Sequence, residues 1–360
     1  MTLVNPHVAA MAPYALADTG SGDDPAPISL AQNESLRPPS PKAVIAAAES
    51  LQRSELYPDP DWTELRSAIA SLHDLDPAMV LCGSGSLDLI GCLARAFAGP
   101  GRAVLAPAYA YPFFRTAAQM ANARFDTAPE RWATADVDAL LSSVASDTGL
   151  VFLANPGNPT GTRIAKSEVL RLRAGLRPDI LLVVDEAYGE FADDPSERVF
   201  DLVKDGNTVI LRTFSKAYGL AGLRVGWGVF PTDVSQQLRK VMNPNNVSIA
   251  SQAAALAAAR DQTYMQETCV MTKDLRDKAL SDLQSSGFDV LRSYTNFLLI
   301  MMPDPSSASH AERYLRSQGF LLRGQSGAGL PHALRMTIGP PEATFAAIAA
   351  LKTWKAEYKT

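Results

Sequence analysis

The 360-residue chain has only three cysteines, Cys82, Cys92 and Cys269, and no CxxC spacing. Thiols so placed form no disulfide framework, which favours a reducing compartment. The four histidines, His7, His73, His310 and His332, are scattered with no metal-ligand spacing, so no metal is expected. No apolar run approaches the ~18 residues of a membrane-spanning helix. The N-terminus lacks a basic stretch followed by an apolar one, so no signal peptide is expected. Lys and Arg nowhere cluster and the net charge is −5, so neither nucleic acid nor an anionic membrane is an expected partner. A cytoplasmic location follows as the expectation. There is no internal repeat.

What is present fits a packed globule: 47% of residues are hydrophobic and 20% charged. The length exceeds one small core, so two domains or one large α/β domain are expected. Residues 19–28, "TGSGDDPAPI", read as a loop. A helix should start after Pro41, and a second in "YPDPDWTELRSAIASLH", with Asp61 as its N-cap. From residue 79 short apolar runs ("MVLC", "AVLAP", "GLVFLAN", "ILLVVDEA", "TVILRTF") alternate with helix-length segments. That pattern predicts buried parallel strands joined by crossover helices. After residue 250 one long helical stretch runs from "IASQAAALAAAR" through "VMTKDLRDKALSDLQSSG", followed by mixed strands and helices. This tail predicts a smaller α+β domain.

Ligands of open α/β sheets sit beyond the carboxyl ends of the strands. The residues following the apolar runs are "GSGS" (Gly83–Ser86), "PAYAY" (Pro107–Tyr111), "NPGNPTG" (Asn155–Gly161), "DEAY" (Asp185–Tyr188) and "TFSK" (Thr213–Lys216), with Arg224 eight residues later. Taken singly, each has a plain structural explanation as a turn, cap or core aromatic, and "GSGS" fails the GxGxxG dinucleotide spacing. Together they ask for one ligand. An aromatic face stacks on a flat ring, and a buried carboxylate keeps a heteroaromatic nitrogen protonated. An amide and a phenol can hold a phenolate oxygen. A helix N-terminus with hydroxyls and an arginine holds a phosphate, and a lysine captures an aldehyde. Pyridoxal 5′-phosphate carries all five handles.

The motifs "LYPDP", "NPGNPTG", "VVDEAYGEF", "TFSKAYGLAGLRVGW", "TNFLLI", "LLRGQ" and "LRMTIGPPE", in that order, resemble the fold-type I, class I/II aminotransferases. Within them the chain looks most like the histidinol-phosphate aminotransferase branch. "NPHVAAMAPYALAD" and "ISLAQNES" are similar to that branch's N-terminal segment. The resemblance implies a large α/β/α domain with a mainly parallel sheet, 44–250, and a smaller α+β domain, 251–360. Residues 1–43 would form an N-terminal arm and part of the small domain. It implies a pyridoxal-phosphate-dependent transaminase moving an amino group between an amino acid, or histidinol phosphate, and a 2-oxo acid, both small molecules, by a ping-pong cycle. Lys216 would be the Schiff-base lysine and proton shuttle, and Asp185 the partner of the pyridine nitrogen. Asn158 and Tyr188 would bind the ring oxygen, and Tyr109 would stack on the ring. Gly85, Ser86, Thr213, Ser215 and Arg224 would hold the phosphate. Tyr57 would reach the neighbouring subunit's phosphate, implying a homodimer with shared active sites. Arg335, helped by Arg323, would grip the anionic end of the substrate.

One position and one three-residue stretch depart from the family pattern. Leu87 stands where an acidic residue is common, at a place that contributes mainly its backbone N–H. In "NESLRPPS", Ser35, Leu36 and Arg37 replace the usual residues of a segment expected to line the substrate pocket. That leaves an aromatic amino acid open as the substrate beside histidinol phosphate. A pyridoxal-phosphate decarboxylase on the same fold is a further alternative. A regulatory binder would need a basic DNA-reading module, for which the N-terminal forty residues are too few and too acidic.

Overall fold

The computed structural model describes residues 3–15, 26–192 and 194–358; residues 19–25 of the expected loop lie outside them. The five apolar runs supply five strands of a seven-stranded sheet, and Phe125–Ala128 and Gly226–Val229 add two that the sequence pattern did not mark. In chain order the strands are β1 (Val80–Gly83), β2 (Ala103–Pro107), β3 (Phe125–Ala128), β4 (Thr148–Ala154), β5 (Leu181–Asp185), β6 (Thr208–Thr213) and β7 (Gly226–Val229). Their order is β1-β7-β6-β5-β4-β2-β3. Neighbours from β6 to β3 are parallel, whereas β7 runs antiparallel to both β1 and β6. Strands β1, β2, β5, β6 and β7 are buried along their whole length, as expected where layers cover both sheet faces.

Strand β7 was not legible, because Gly226 and Gly228 weaken a strand signal. The glycine has a steric reason: a Cβ on Gly226 would fall 2.1 Å from the Ser86 backbone nitrogen. Helix α1 (Pro41–Ser50) starts at its proline, capped by Ser40. Helix α2 (Thr63–His73) departs from expectation at its start. Asp61 does not cap it; the Thr63 N–H donates to Asp59 at 2.7 Å, while the flanking Trp62 is left-handed. Helices α3 (Ser86–Phe97) and α4 (Pro112–Met120) pack on each other, and α3 also packs on β7.

The expected single helix after residue 250 is two, α5 (Ile249–Arg260) and α6 (Gln262–Ser285), broken at Asp261. The Asp261 carboxylate accepts from Ser40 Oγ and Lys42 Nζ, which holds the break against the start of α1.

A second sheet, order β8-β9-β11-β10, is antiparallel throughout: β8 (Asp289–Val290), β9 (Phe297–Met301), β10 (Arg323–Gln325) and β11 (Leu330–Thr337). Helices α7 (Pro305–Ser317) and α8 (Pro341–Tyr358) pack with it around a separate apolar cluster that includes Leu298, Ile300, Leu334 and Trp354. Leu30 belongs to this cluster although it is far away in sequence. Ile28 and Ser29 pair in parallel with Phe320 and Leu321, and the Thr337 N–H donates to Leu30 O at 2.8 Å. This pairing delivers Gln32–Glu34 to the place where the two sheets face a common cavity.

Candidate active site

The cavity has a volume of about 450 Å³, and most of its polar wall comes from strand ends. Asp185 is the last residue of β5. Thr213 ends β6, and Lys216 follows three residues later. The Thr213 and Ser215 hydroxyls are hydrogen-bonded at 3.0 Å, and Arg224 Nη1 donates to Ser215 Oγ at 3.2 Å. Beyond β1, Gly85 takes a φ of +83° and leads into α3. A Cβ there would come within 2.3 Å of Arg224 Nη2, so only glycine leaves this cradle open. Hydroxyls, one guanidinium and the N-terminus of the 12-residue helix α3 thus converge, an arrangement that binds a phosphate.

Asp185 is 5% exposed and receives one hydrogen bond, from the Ala187 N–H at 3.1 Å. Burial, reinforced by the neighbouring Glu186, pushes its carboxyl up to about 7. A buried carboxylate with so little support fits a cationic partner from the cavity. Lys216 Nζ donates to Gln32 O at 3.1 Å and Asn33 O at 3.0 Å. Burial first, then Arg335 and Arg224, bring its amine down to about 7. Tyr188 Oη accepts from Asn33 Nδ2 at 2.8 Å and from Asn158 Nδ2 at 3.4 Å. These groups fit pyridoxal phosphate: a phosphate cradle, an unmatched buried carboxylate, a phenol with an amide, and a lysine of lowered pKa.

The second sheet contributes Arg323 on β10 and Arg335 on β11, which are directly opposed in register. Like charges facing each other across strands are unfavourable. Arg335 is 7% exposed, and its hydrogen bonds go to neutral oxygens: Asn158 Oδ1 at 2.6 Å and Ala31 O at 2.7 Å. Its Nε has no partner among the described residues. Burial, with Arg323 adding to it, lowers its basicity to about 10. Arg323 reaches the arm, donating to Ala15 O at 2.8 Å.

Of the residues singled out in the sequence, Ser86, Asn158, Asp185, Tyr188, Thr213, Ser215, Lys216, Arg224, Arg323 and Arg335 line this cavity. Gly85 backs the Arg224 guanidinium. Tyr57 lies elsewhere, on the surface and 86% exposed.

Contrary to expectation, Tyr109 does not line the cavity. Its N–H is fixed by Glu130 Oε1 at 2.8 Å, and its ring packs with Leu299, Leu330 and Ala333. The residue that faces the cavity is Tyr111. It immediately precedes Pro112, whose ring starts α4 and leaves Tyr111 as the N-cap at the strand-end opening. That proline was the signal available in "PAYAYP".

The departures in "NESLRPPS" also fall differently from expectation. Gln32, Asn33 and Glu34 line the cavity, but Ser35, Leu36 and Arg37 do not. Arg37 lies over the Tyr264 ring at 4.0 Å and pairs with Glu267 at 3.3 Å, so the segment folds back onto α6. Sequence reasoning missed Tyr14, which lines the cavity from the arm and packs edge-on against Phe113. It also missed Asn33 and Gln325.

Among the described residues no group of His, Cys, Asp and Glu could hold a metal ion, and no helix is long and apolar enough to cross a membrane.

The family of class I and II aminotransferases matches residues 25–351. A histidinol-phosphate aminotransferase of Paramagnetospirillum magneticum is 44% identical over 331 residues, covering 90% of this chain and 91% of that relative. The corresponding protein of Rhodospirillum centenum is 38% identical over 353 residues, covering 97% and 98%. A crystal structure of histidinol-phosphate aminotransferase from Sinorhizobium meliloti, in complex with pyridoxal-5′-phosphate, superposes with a TM-score of 0.93. It is 27% identical, with 99% of each chain covered.

Proposed function

The chain belongs to the class I and II aminotransferases, and from that premise we propose that it moves the amino group of histidinol phosphate to a 2-oxo acid. It is a pyridoxal-phosphate-dependent enzyme of fold type I. The observation that carries the substrate reading is the opposed pair Arg323 and Arg335, with an Nε lacking a partner among the described residues and only neutral oxygens on Arg335. Two guanidinium groups at one place suit a phosphate dianion better than a single carboxylate. The relatives at 38–44% identity carry the same substrate in their names. Ser35, Leu36 and Arg37, the residues that had favoured an aromatic substrate, do not line the cavity. Neither the aromatic nor the decarboxylase alternative is favoured.

When bound, pyridoxal phosphate supplies an aldehyde that captures an amine and a ring that accepts the electron pair released at the substrate α-carbon. In this reading Gly85, Ser86, Thr213, Ser215 and Arg224 hold its phosphate, and Tyr111 takes the stacking place first given to Tyr109. Asp185 holds the ring nitrogen protonated; Asn158 and Tyr188 hold the ring oxygen. Lys216 Nζ takes up and returns the α-carbon proton, for which a pKa of about 7 is well placed. Residues 44–250 carry the cofactor, and 251–360, joined by the arm 1–43, carry the two arginines. Cys82, Cys92 and Cys269 form no disulfide, in keeping with a reducing, cytoplasmic setting.

The test is transamination by the purified enzyme of histidinol phosphate against phenylalanine. A clear preference for phenylalanine removes the substrate reading and leaves the transaminase.

Arg335→Lys keeps the charge and loses the planar fork. We expect KM for the substrate to rise roughly tenfold to a hundredfold, the worth of a charge-assisted contact. The absorbance of the bound cofactor stays as in the wild type. An unchanged KM in steady-state kinetics takes Arg335 out of substrate binding.

The reading includes a homodimer with shared sites. Tyr57 is 86% exposed beside the exposed Leu51 and Leu56, and α1 turns Val44 and Ile45 to solvent. Such a patch suits a second copy. Mixing Tyr57→Phe with Lys216→Ala protein should form hybrids in which one site has both native residues, with activity above either parent. No gain on mixing, or a monomer at micromolar concentration by light scattering, counts against the shared site.

A further inference from the structure

Asn33 lies at the junction of three elements. It is 1% exposed and left-handed, with a φ of +55°. Its N–H donates to Thr337 Oγ1 on β11 at 2.9 Å. Its carbonyl accepts from Lys216 Nζ at 3.0 Å and from Asn296 Nδ2 at 3.1 Å. Its amide donates through Nδ2 to Tyr188 Oη at 2.8 Å, while Oδ1 accepts from Thr337 Oγ1 at 3.3 Å.

That network sets the amide's orientation. The Thr337 hydroxyl already accepts the Asn33 N–H, and its own proton goes to Oδ1. A reversed amide would put Nδ2 against that hydroxyl and leave its proton without this acceptor. Nδ2 is therefore turned to Tyr188. A phenol oxygen carries two lone pairs and one proton. With Asn33 and, at 3.4 Å, Asn158 both donating to it, the proton of Tyr188 is left to point into the cavity.

We infer that Asn33 is a positioning residue: its amide turns the Tyr188 hydroxyl so that the phenol donates toward the cofactor's ring oxygen. The inference rests on the reading of Tyr188 given above. The left-handed backbone is what makes the arrangement possible, since it lets one residue offer its carbonyl to Lys216 and its amide to Tyr188. Asparagine tolerates that conformation better than other residues that carry an amide on a longer chain.

The experiment compares holoenzymes carrying Asn33→Gly, Asn33→Asp and Tyr188→Phe. Glycine keeps the left-handed backbone and removes only the amide. Aspartate can only accept, so it draws the Tyr188 proton to itself. The readout is the pH midpoint of the visible absorbance of bound pyridoxal phosphate, with the cofactor dissociation constant by dialysis. Donation to the ring oxygen makes it less basic toward the proton it shares with Lys216 Nζ. Weaker donation therefore raises the midpoint.

We expect Tyr188→Phe to raise it by about one pH unit, a tenfold change in the proton equilibrium. Both Asn33 variants should move it the same way, aspartate further than glycine, and weaken cofactor binding by roughly threefold to tenfold. A shift in Tyr188→Phe with none in either Asn33 variant overturns the inference and leaves the site reading standing. No shift in Tyr188→Phe sinks the reading of Tyr188, and the inference with it.

Discussion

Lys216→Ala is expected to lower transamination by ~10⁴-fold or more, because in the proposed function it removes both the covalent anchor and the proton carrier in one step. The fold is retained. In the protein the amine's hydrogen bonds run to Gln32 O and Asn33 O, at the wall of an open cavity rather than inside either apolar cluster. Asn33 O keeps a second donor in Asn296 Nδ2, so the truncation leaves that carbonyl paired. The check is steady-state turnover together with the thermal melting curve. Borohydride reduction of the wild-type holoenzyme followed by peptide mapping should place the cofactor tag on Lys216. A tag on any other lysine, or substantial turnover in the alanine variant, removes Lys216 from the chemistry.

Asp185→Asn keeps the cofactor bound and lowers turnover by roughly 10²–10³-fold, the usual cost of losing one preorganised electrostatic contact to the reacting system. The substitution is close to isosteric, and the Ala187 N–H that holds Oδ1 can still be accepted by an amide oxygen. What disappears is negative charge. Burial lifts the Asp185 carboxyl to about 7, and a protonated ring nitrogen beside it would pull that value down again, since each charge favours the other. An asparagine offers no such partner, so the ring nitrogen loses its proton and the ring its capacity to accept electrons. Single-turnover kinetics with bound cofactor test this directly. Turnover near the wild-type rate would show that Asp185 does not set the protonation of the ring.

Much of this architecture is legible in the sequence. Five strands of the large sheet announced themselves because β-branched and leucine-rich runs, buried on both faces, have no other economical placement. The residues just beyond them were readable for the same reason: the topology leaves the carboxyl ends of parallel strands facing one opening. What escaped depended on contacts distant in sequence. Strand β7 was hidden by its glycines, of which Gly226 admits the Ser86 backbone and Gly228 lies against Leu211, Ile210 O and Phe230. The break at Asp261 is held by Ser40 and Lys42, more than two hundred residues earlier. Tyr109 and Tyr111 are two residues apart, and only the Glu130 anchor and the Pro112 helix start decide which one meets the cavity. Arg37 left the pocket because Tyr264 and Glu267 capture it on α6, which no local pattern encodes.

The hydrogen bond from Arg335 to Asn158 has a thermodynamic consequence. Arg335 belongs to the second sheet, and Asn158 to the loop after β4, whose Gly161 O also receives the Tyr294 N–H at 2.8 Å. One amide is thus shared by Arg335, the proposed anion-binding group, and Tyr188, the phenol proposed to face the ring. An anion that draws Arg335 away from Asn158 changes how firmly that amide is held at Tyr188. The reverse holds equally, because a coupling free energy acts on both partners by the same factor. Through this contact, whatever factor the bound outer ligand imposes on the affinity for the inner one, the bound inner ligand imposes on the outer.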